Sequence, residues 1–392
     1  MHIFRSERYA AAMLLGAAAL ALLLANLPFG SALIGLRDAH LELPALGLDL
    51  SIGHWISDGL LAVFFFLVAI ELRHELTKGE LNSLTHALVP AIAAVGGVVA
   101  PAALYLAFTA GSGLAEGWPI PTATDIAFAL GVLAIFGSRL PARVRAFLLA
   151  LAILDDLIAI LIIAVFFTRD PSPLLLLAAV IPVAAFWLLG RLAGGRLRLP
   201  IGAAMVLVAL VAWYFVYSSG VHATIAGVAL GLVLKPDVAH RVHRAIEPYS
   251  NGLILPVFAF SAALVAIPQV SLAELSAPFW GILVGLPVGK LLGITVAGAI
   301  ALHFARRSGG TLLKIREIVV VAALGGIGFT VSLLMNELAF AGQELVRDEG
   351  TLAVLLGSAI AIVVSAFVVR SAARRTDPAD EAQEEDVREP IV

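Results

Sequence analysis

The sequence predicts an all-α polytopic membrane protein of about 12 transmembrane helices, with a short extracytoplasmic β-hairpin. Three observations carry this. Apolar residues make up 61% of the 392 positions and charged residues only 14%, against about 25% charged in ordinary soluble domains. The mean hydropathy is +1.01. The apolar residues also gather into stretches near the roughly 20 residues that a helix needs to cross a bilayer.

Twelve such stretches start near residues 9, 54, 86, 121, 142, 172, 200, 220, 249, 277, 316 and 350. Arg5 and Arg8 before the first would also suit a signal peptide. Residues 9–27 are long enough to span, however, and no clean cleavage site follows, so the stretch is read as a span. The positive-inside rule sets orientation. With a cytoplasmic N-terminus, the inner segments hold 21 of the 25 Lys and Arg residues and the outer segments only Arg37, Arg169 and Arg347, while Lys290 lies within a span. Both termini are therefore expected in the cytoplasm. Trp55, Trp118 and Trp280 fall at outer ends, as an aromatic belt requires.

Between the first two spans, "HLELPALGLDLS" (40–51) alternates leucine with polar residues around Pro44-Ala45, the pattern of a hairpin with strands at about 41–43 and 46–50. Residues 1–375 form the transmembrane domain. The tail from Thr376, with seven acids and one arginine, is expected to be disordered. A net charge of -3 without a basic, aromatic-laced cluster gives no sign of a nucleic-acid partner, and the absence of cysteine excludes disulfides, thiol catalysis and Cys-based metal sites.

Chemistry in such a chain concentrates where charge is expensive. An ionisable side chain at mid-bilayer costs about 2.5–3.5 kcal/mol on insertion scales. Asp125, Asp155, Asp156 and Lys290 all lie deep in spans, with Asp58 and Glu71 nearer the ends of the second. A single buried acid is as readily a structural ion pair as a functional group. Adjacent acids are different: neighbours on a helix diverge by about 100°, so Asp155 and Asp156 cannot both pair with Lys290. One carboxylate must face something else, most simply a cavity.

The fourth span opens "PTATDIAFALG", with Pro121 suited to a helix start and Asp125 in the first turns. The eleventh reads "LGGIGFTVS", with Gly325, Gly326 and Gly328 at mid-segment. Interrupted spans in corresponding halves point to a transporter site. Their half-helix dipoles, positive at N-termini and negative at C-termini, would be offset by an aspartate and a lysine. Asp125 then compensates charge rather than carrying ions. In "GLPVGKLLGI", Gly285, Gly289 and Gly293 at spacing four suggest a close helix contact. His222 in "SGVHATIAG" reads first as a packed interfacial residue, and Glu71, Arg73, His74 and Glu75 as a solvated helix end.

"PTATDIAFALGVL", "LAILDDLIAI", "SGVHATIAG", "LILPVFAF", "GLPVGKLLGI" and "GGIGFTVS", in that order, resemble the NhaA family of bacterial sodium/proton antiporters, over nearly the whole chain to about Arg370. The family is itself a standard example of inverted-repeat transporters. The resemblance implies that Asp155 and Asp156 bind the transported Na⁺ or Li⁺ and the protons, with no resident metal, cofactor or enzymatic activity. It implies that Lys290 pairs with Asp155, and that Asp125 and Thr124 stand where two discontinuous helices cross. Spans three to five and ten to twelve would be the inverted repeats. Glu71, Glu75 and His222 match residues linked to pH response. In "RVHRAIEPYS" the family's acid and histidine are exchanged, giving His243 and Glu247 and putting the pH profile in doubt. "SAALV" after "LPVFAF" replaces the family's asparagine and glycine, for which we have no physical account.

The charges suggest the mechanism. Two neighbouring buried carboxylates resist losing both protons, and a sodium ion, which prefers hard oxygen ligands, can compensate that loss. Na⁺ and H⁺ then compete for one site, and alternating access completes antiport, which the resemblance implies is electrogenic. An intramembrane aspartyl protease would need its aspartates on separate helices. A sodium-coupled solute symporter would need a second polar cluster, which the sequence does not suggest. The exposed hairpin edges favour a homodimer in the bilayer, and the resemblance agrees.

Overall fold

The computed structural model describes residues 7–375 except 83, 169, 194–197, 269–270, 273 and 308–312. The acidic tail and the bases Arg5, Arg169, Arg196 and Arg388 lie outside the described residues. Helix α1 (Glu7–Ala25) turns through 114° into α2 (Gly30–Asp38), which leads to the hairpin β1 (His40–Leu43) and β2 (Leu48–Ser51). Six helices follow: α3 (Ile52–Thr77), α4 (Leu84–Phe108), α5 (Ile126–Phe136), α6 (Ala142–Phe166), α7 (Pro173–Leu192) and α8 (Arg198–Ser218). Then come α9 (Thr224–Val233), α10 (Pro236–Tyr249), α11 (Leu255–Ala262), α12 (Ala277–Ala305), α13 (Ile315–Gly325), α14 (Phe329–Ala339) and α15 (Glu344–Arg374).

Helices stand at or within a few residues of every expected span. Among the described residues, eight are long and apolar enough to cross a bilayer, or ten if each bent pair counts as one. The eighth and ninth expected spans are shorter. With 10 residues, α9 covers only about 15 Å at 1.5 Å per residue. It ends at Leu234, whose backbone is extended two residues before Pro236. The ninth follows directly on α10 and consists of a π-helical turn at Ser250–Ile254 and the eight residues of α11.

The fourth span departs from the expected helix start. Pro121 sits in a short 3-10 turn (Ile120–Thr122), the chain is extended at Ala123, and α5 begins only at Ile126. The eleventh opens as expected: α13 and α14 meet at 49° across residues 326–328.

In the hairpin, the strands pair antiparallel with His40 opposite Ser51 and Leu43 opposite Leu48. Gly47, at φ +63°, supplies the left-handed residue of the turn. All four β1 residues are exposed, whereas β2 buries Leu48 and Leu50. The strand bounds differ from expectation by one or two residues because Pro44–Leu46 forms a 3-10 turn.

Burial separates a packed centre from a lipid-facing rim. Only 22% and 17% of the apolar windows of α7 and α8 are buried, against 72% for the segment that contains α5. Helices apolar all round suit hydrocarbon surroundings. The centre is drawn tight by glycines. Gly285 packs on Pro121, Gly289 on Pro101, and Gly293 on Gly96 of α4, so the spacing-four glycines mark a close contact. In the same way, Gly227 and Gly231 of α9 lie on the backbone of α3.

A Cβ at Gly293 would stand 2.1 Å from the Gly96 carbonyl oxygen, whereas one at Gly202 would meet nothing within 4 Å. Gly293→Ala is therefore expected to destabilise the protein by about 1–3 kcal/mol, seen as a lower melting temperature in detergent. Gly202→Ala should melt with the parent protein. Equal melting of the two variants would contradict this packing.

Candidate functional site

The two openings in the helical backbone hold each other. The Asp125 amide donates to Ile327 O at 2.6 Å, and the Thr124 hydroxyl to Gly325 O at 2.8 Å. The Ser332 hydroxyl reaches Ile120 O at 2.7 Å. Backbone groups freed by the breaks are thus satisfied across the crossing, as apolar surroundings require.

The Asp125 side chain lies between two helix N-termini. Its Oδ1 accepts from the Phe128 amide at 3.2 Å as the N-cap of α5. Its Oδ2 accepts from the Thr330 amide at 3.1 Å and the Thr330 hydroxyl at 2.6 Å, on the first turn of α14. A carboxylate is stabilised by the partial positive charge of both ends. This is the compensating place expected from the sequence.

Lys290, fully buried, follows a π-helical turn at Gly285–Gly289, a local form frequent at functional sites. Its Nζ donates to Thr122 O at 2.5 Å and to Asp155 Oδ2 at 2.6 Å. Among the described residues Lys290 pairs with Asp155 and not with Asp156. Asp155 Oδ1 is buried without a hydrogen-bond partner, since the nearby Thr124 hydroxyl gives its proton to Gly325.

Asp156, one position on along α6, turns away from the lysine. No hydrogen bond or ion pair ties its carboxylate among the described residues. It faces a cavity of about 330 Å³ shared with Thr124, Asp125, Glu71, His243 and Glu247. The adjacent acids thus divide as helical geometry requires, one on the lysine and one on a cavity. The site offers both Asp156 oxygens, the second Asp155 oxygen and the Thr124 hydroxyl oxygen, all hard donors suited to a small cation and to protons.

The remaining residues singled out from the sequence fall into two places. Glu71, His243 and Glu247 line the cavity with Asp156, and Glu75 follows Glu71 by one turn of α3 without lining it. His222 lies elsewhere, toward the hairpin, with Nδ1 3.5 Å from Asp58 Oδ1. It is packed, as the simpler reading held, but against a carboxylate. Asp58 itself sits in a π-helical turn at Trp55–Leu60.

Sequence reasoning missed three features. Arg143 grips Glu317 through Nε and a terminal nitrogen at 2.8–3.2 Å, joining the start of α6 to the start of α13. Thr330 stood within a quoted motif without being recognised as the partner of Asp125. Glu337 in "LLMNELAF" is a further acid inside the eleventh span. Its position among apolar residues was the available signal.

Two interrupted helices crossing beside a half-paired aspartate dyad define a membrane secondary transporter for small cations. A family model described as Na⁺/H⁺ antiporter 1 matches residues 1–369, and the chain belongs to that family. "Na(+)/H(+) antiporter NhaA 2" of Clavibacter michiganensis subsp. michiganensis is 60% identical over 388 residues, covering 98% of this chain and 95% of the relative. "Na(+)/H(+) antiporter NhaA" of Tropheryma whipplei is 50% identical over 374 residues, covering 94% and 95%. "Na(+)/H(+) antiporter NhaA 3" of Streptomyces coelicolor is 43% identical over 399 residues, covering 98% and 83%. The symporter alternative finds no support in these names.

Lys290→Ala strands the Asp155 carboxylate, and loss of one partner from a buried pair costs about 3–5 kcal/mol. Adding Asp155→Asn should restore much of the melting temperature, though not all, because Thr122 O stays without its donor. A double variant melting no higher than Lys290→Ala would break the assigned pairing.

Proposed function

We propose that the chain exchanges Na⁺ for H⁺ across the bacterial inner membrane, with Asp156 and Asp155 as the shared ion-binding carboxylates. The observation that carries this reading is Asp156, a buried carboxylate on a cavity with no hydrogen bond or ion pair of its own among the described residues. Such a group requires a proton or a cation. Either satisfies it, so the two compete.

Lys290 adds the second element. While Na⁺ is absent it holds the charge of Asp155. When Na⁺ arrives, the ion can draw Asp155 away and use its second oxygen, leaving Lys290 on Thr122 O. Asp125 holds the crossing and carries no ion, while Thr124 holds the crossing and lends its hydroxyl oxygen to the site. More protons than sodium ions move per cycle, so exchange is electrogenic. Li⁺, a harder and smaller ion of the same charge, suits the same oxygens. Na⁺ and H⁺ are substrates here, and the reading needs no cofactor.

The asymmetry of basic residues supports a hairpin-bearing outer face and cytoplasmic termini, with Na⁺ leaving and protons entering. Spans three to five and ten to twelve each contain one interrupted helix. Their first members have odd and even order, so the units run in opposite directions as inverted repeats. Glu71, His243 and Glu247, on the Asp156 cavity, are placed to make access depend on pH. Glu75 and His222 would act through Glu71 and Asp58.

Pairing of two copies through their hairpins is supported by the exposed β1 and by Leu41, Leu43 and Leu46, which are 54%, 39% and 51% exposed. An unpaired edge with apolar side chains favours association.

Asp156→Asn should abolish exchange, because an amide cannot trade a proton for Na⁺. Normal Na⁺-driven dequenching of a pH dye in vesicles of that variant would reject the assignment. Deleting Glu42 to Asp49 should convert dimer to monomer in detergent while each protomer keeps a complete site and exchanges. A persisting dimer would place the contact elsewhere, and an inactive monomer would show that the protomers are not independent.

A further inference from the structure

The π-helical turn at Ser250–Ile254 stands between two different surroundings. Ser250, Asn251 and Leu255 line the Asp156 cavity. Gly252, Leu253, Pro256 and Val257 instead line an apolar groove of about 390 Å³ beside α1 and α2. Pro248 and Pro256 frame the turn, and neither can donate an amide hydrogen to a helical ladder. The wider turn thus sits where the ladder is already interrupted, and it sorts its side chains by polarity. The serine and asparagine meet the ion cavity, and the glycine and leucine meet the apolar side.

Asn251 is the uncommitted group of this turn. It is half-buried, and its side chain has no hydrogen-bond partner among the described residues. The neutral polar groups around it are engaged or enclosed. The Thr124 hydroxyl gives its proton to Gly325 O and the Thr330 hydroxyl to Asp125, while Ser250 Oγ is buried. Asn251 therefore presents a carboxamide whose oxygen and nitrogen are both free. An amide left without a partner in apolar surroundings is costly. One on a cavity is not, provided that the contents of the cavity serve as its partner.

The proposed function says what those contents are. A cavity of about 330 Å³ has room for several waters of about 30 Å³ each, so Na⁺ enters it hydrated and must shed water before it meets Asp156. A carboxamide oxygen is a hard, neutral donor of the kind such cations accept. It can take the place of one water without adding charge. Glu71, His243 and Glu247 on the same cavity can gain or lose a proton, whereas Asn251 offers the same oxygen at every pH.

We propose that Asn251 is a specificity-determining residue of the ion path, whose side-chain oxygen replaces one water of the hydrated Na⁺ in the cavity and passes the partly dehydrated ion to Asp156. This inference rests on the Na⁺/H⁺ exchange proposed above.

The test uses the full chain in vesicles, with Na⁺-driven dequenching of a pH dye measured across Na⁺ concentration and pH. Asn251→Leu keeps the approximate size of the side chain and removes its polar atoms, and Asn251→Gln keeps the carboxamide. In Asn251→Leu the half-saturating Na⁺ concentration should rise about three- to tenfold, the scale of one lost polar contact. The rise should be the same at each pH, with the maximal rate little changed, and Asn251→Gln should recover most of it. Because Asn251 has no partner in the protein, the variants should melt with the parent in detergent, whereas an asparagine that braces the turn would lower the melting temperature when replaced. Asn251→Ala supplies the same reading if leucine crowds the turn. An unmoved half-saturating concentration, a rise that varies with pH, no recovery in Asn251→Gln, or a lower melting temperature in Asn251→Ala would overturn this role while leaving exchange standing. Absence of exchange in the parent, or normal exchange in Asp156→Asn, would remove the proposed function and this inference together.

Discussion

The ammonium of Lys290 is the interaction on which the centre of the molecule depends. A fully buried cation is tolerable only when hydrogen-bonded and paired, and here both acceptors come from other elements. The Thr122 carbonyl is available because the fourth span is not helical there. The Asp155 carboxylate is available because α6 runs beside α4, on which α12 packs. The approach of α12 in turn needs Gly289 and Gly293, which leave no gap against Pro101 and Gly96. Broken span, close helix crossing and ion pair therefore stand or fall together.

Around that pair the three central aspartates differ in how completely their oxygens are satisfied. Asp125 has both oxygens engaged by donors at two helix N-termini. Asp155 has one oxygen on Lys290 and one orphaned. Asp156 faces the cavity. This ordering assigns roles more sharply than depth does, since all three are buried. Unsatisfied oxygen in an apolar setting marks where a proton or cation has most to offer.

The dyad helix is also anchored away from the dyad. Arg143 and Glu317 tie the starts of α6 and α13, and Glu317 in addition accepts from the Lys314 amide. The helix that carries the acids and the helix that breaks beside them are thus clamped at one end. Three π-helical turns, beside Asp58, Ser250 and Lys290, lie where cavity-lining or paired groups occur, and each locally re-aims side chains that a regular helix would place elsewhere.

Composition alone determined that the chain lives in a bilayer, because hydrocarbon surroundings impose a local and nearly continuous apolar signal. The same expense made Asp125, Asp155, Asp156 and Lys290 conspicuous, and the glycines of "LGGIGFTVS" and "GLPVGKLLGI" marked a break and a close contact. Partner identity was decided only by tertiary structure. Helix periodicity required the adjacent aspartates to separate but could not say which of them meets Lys290. That depends on how α6 and α12, 135 positions apart at the pair, are rotated against each other. The start of α5 moved from Pro121 to Ile126 because Asp125 is held by Ile327 O and Thr330, some 200 residues away. Arg143 with Glu317, and His222 with Asp58, were invisible for the same reason. Local sequence states that a buried charge must be compensated, and only the packing of distant helices decides by what.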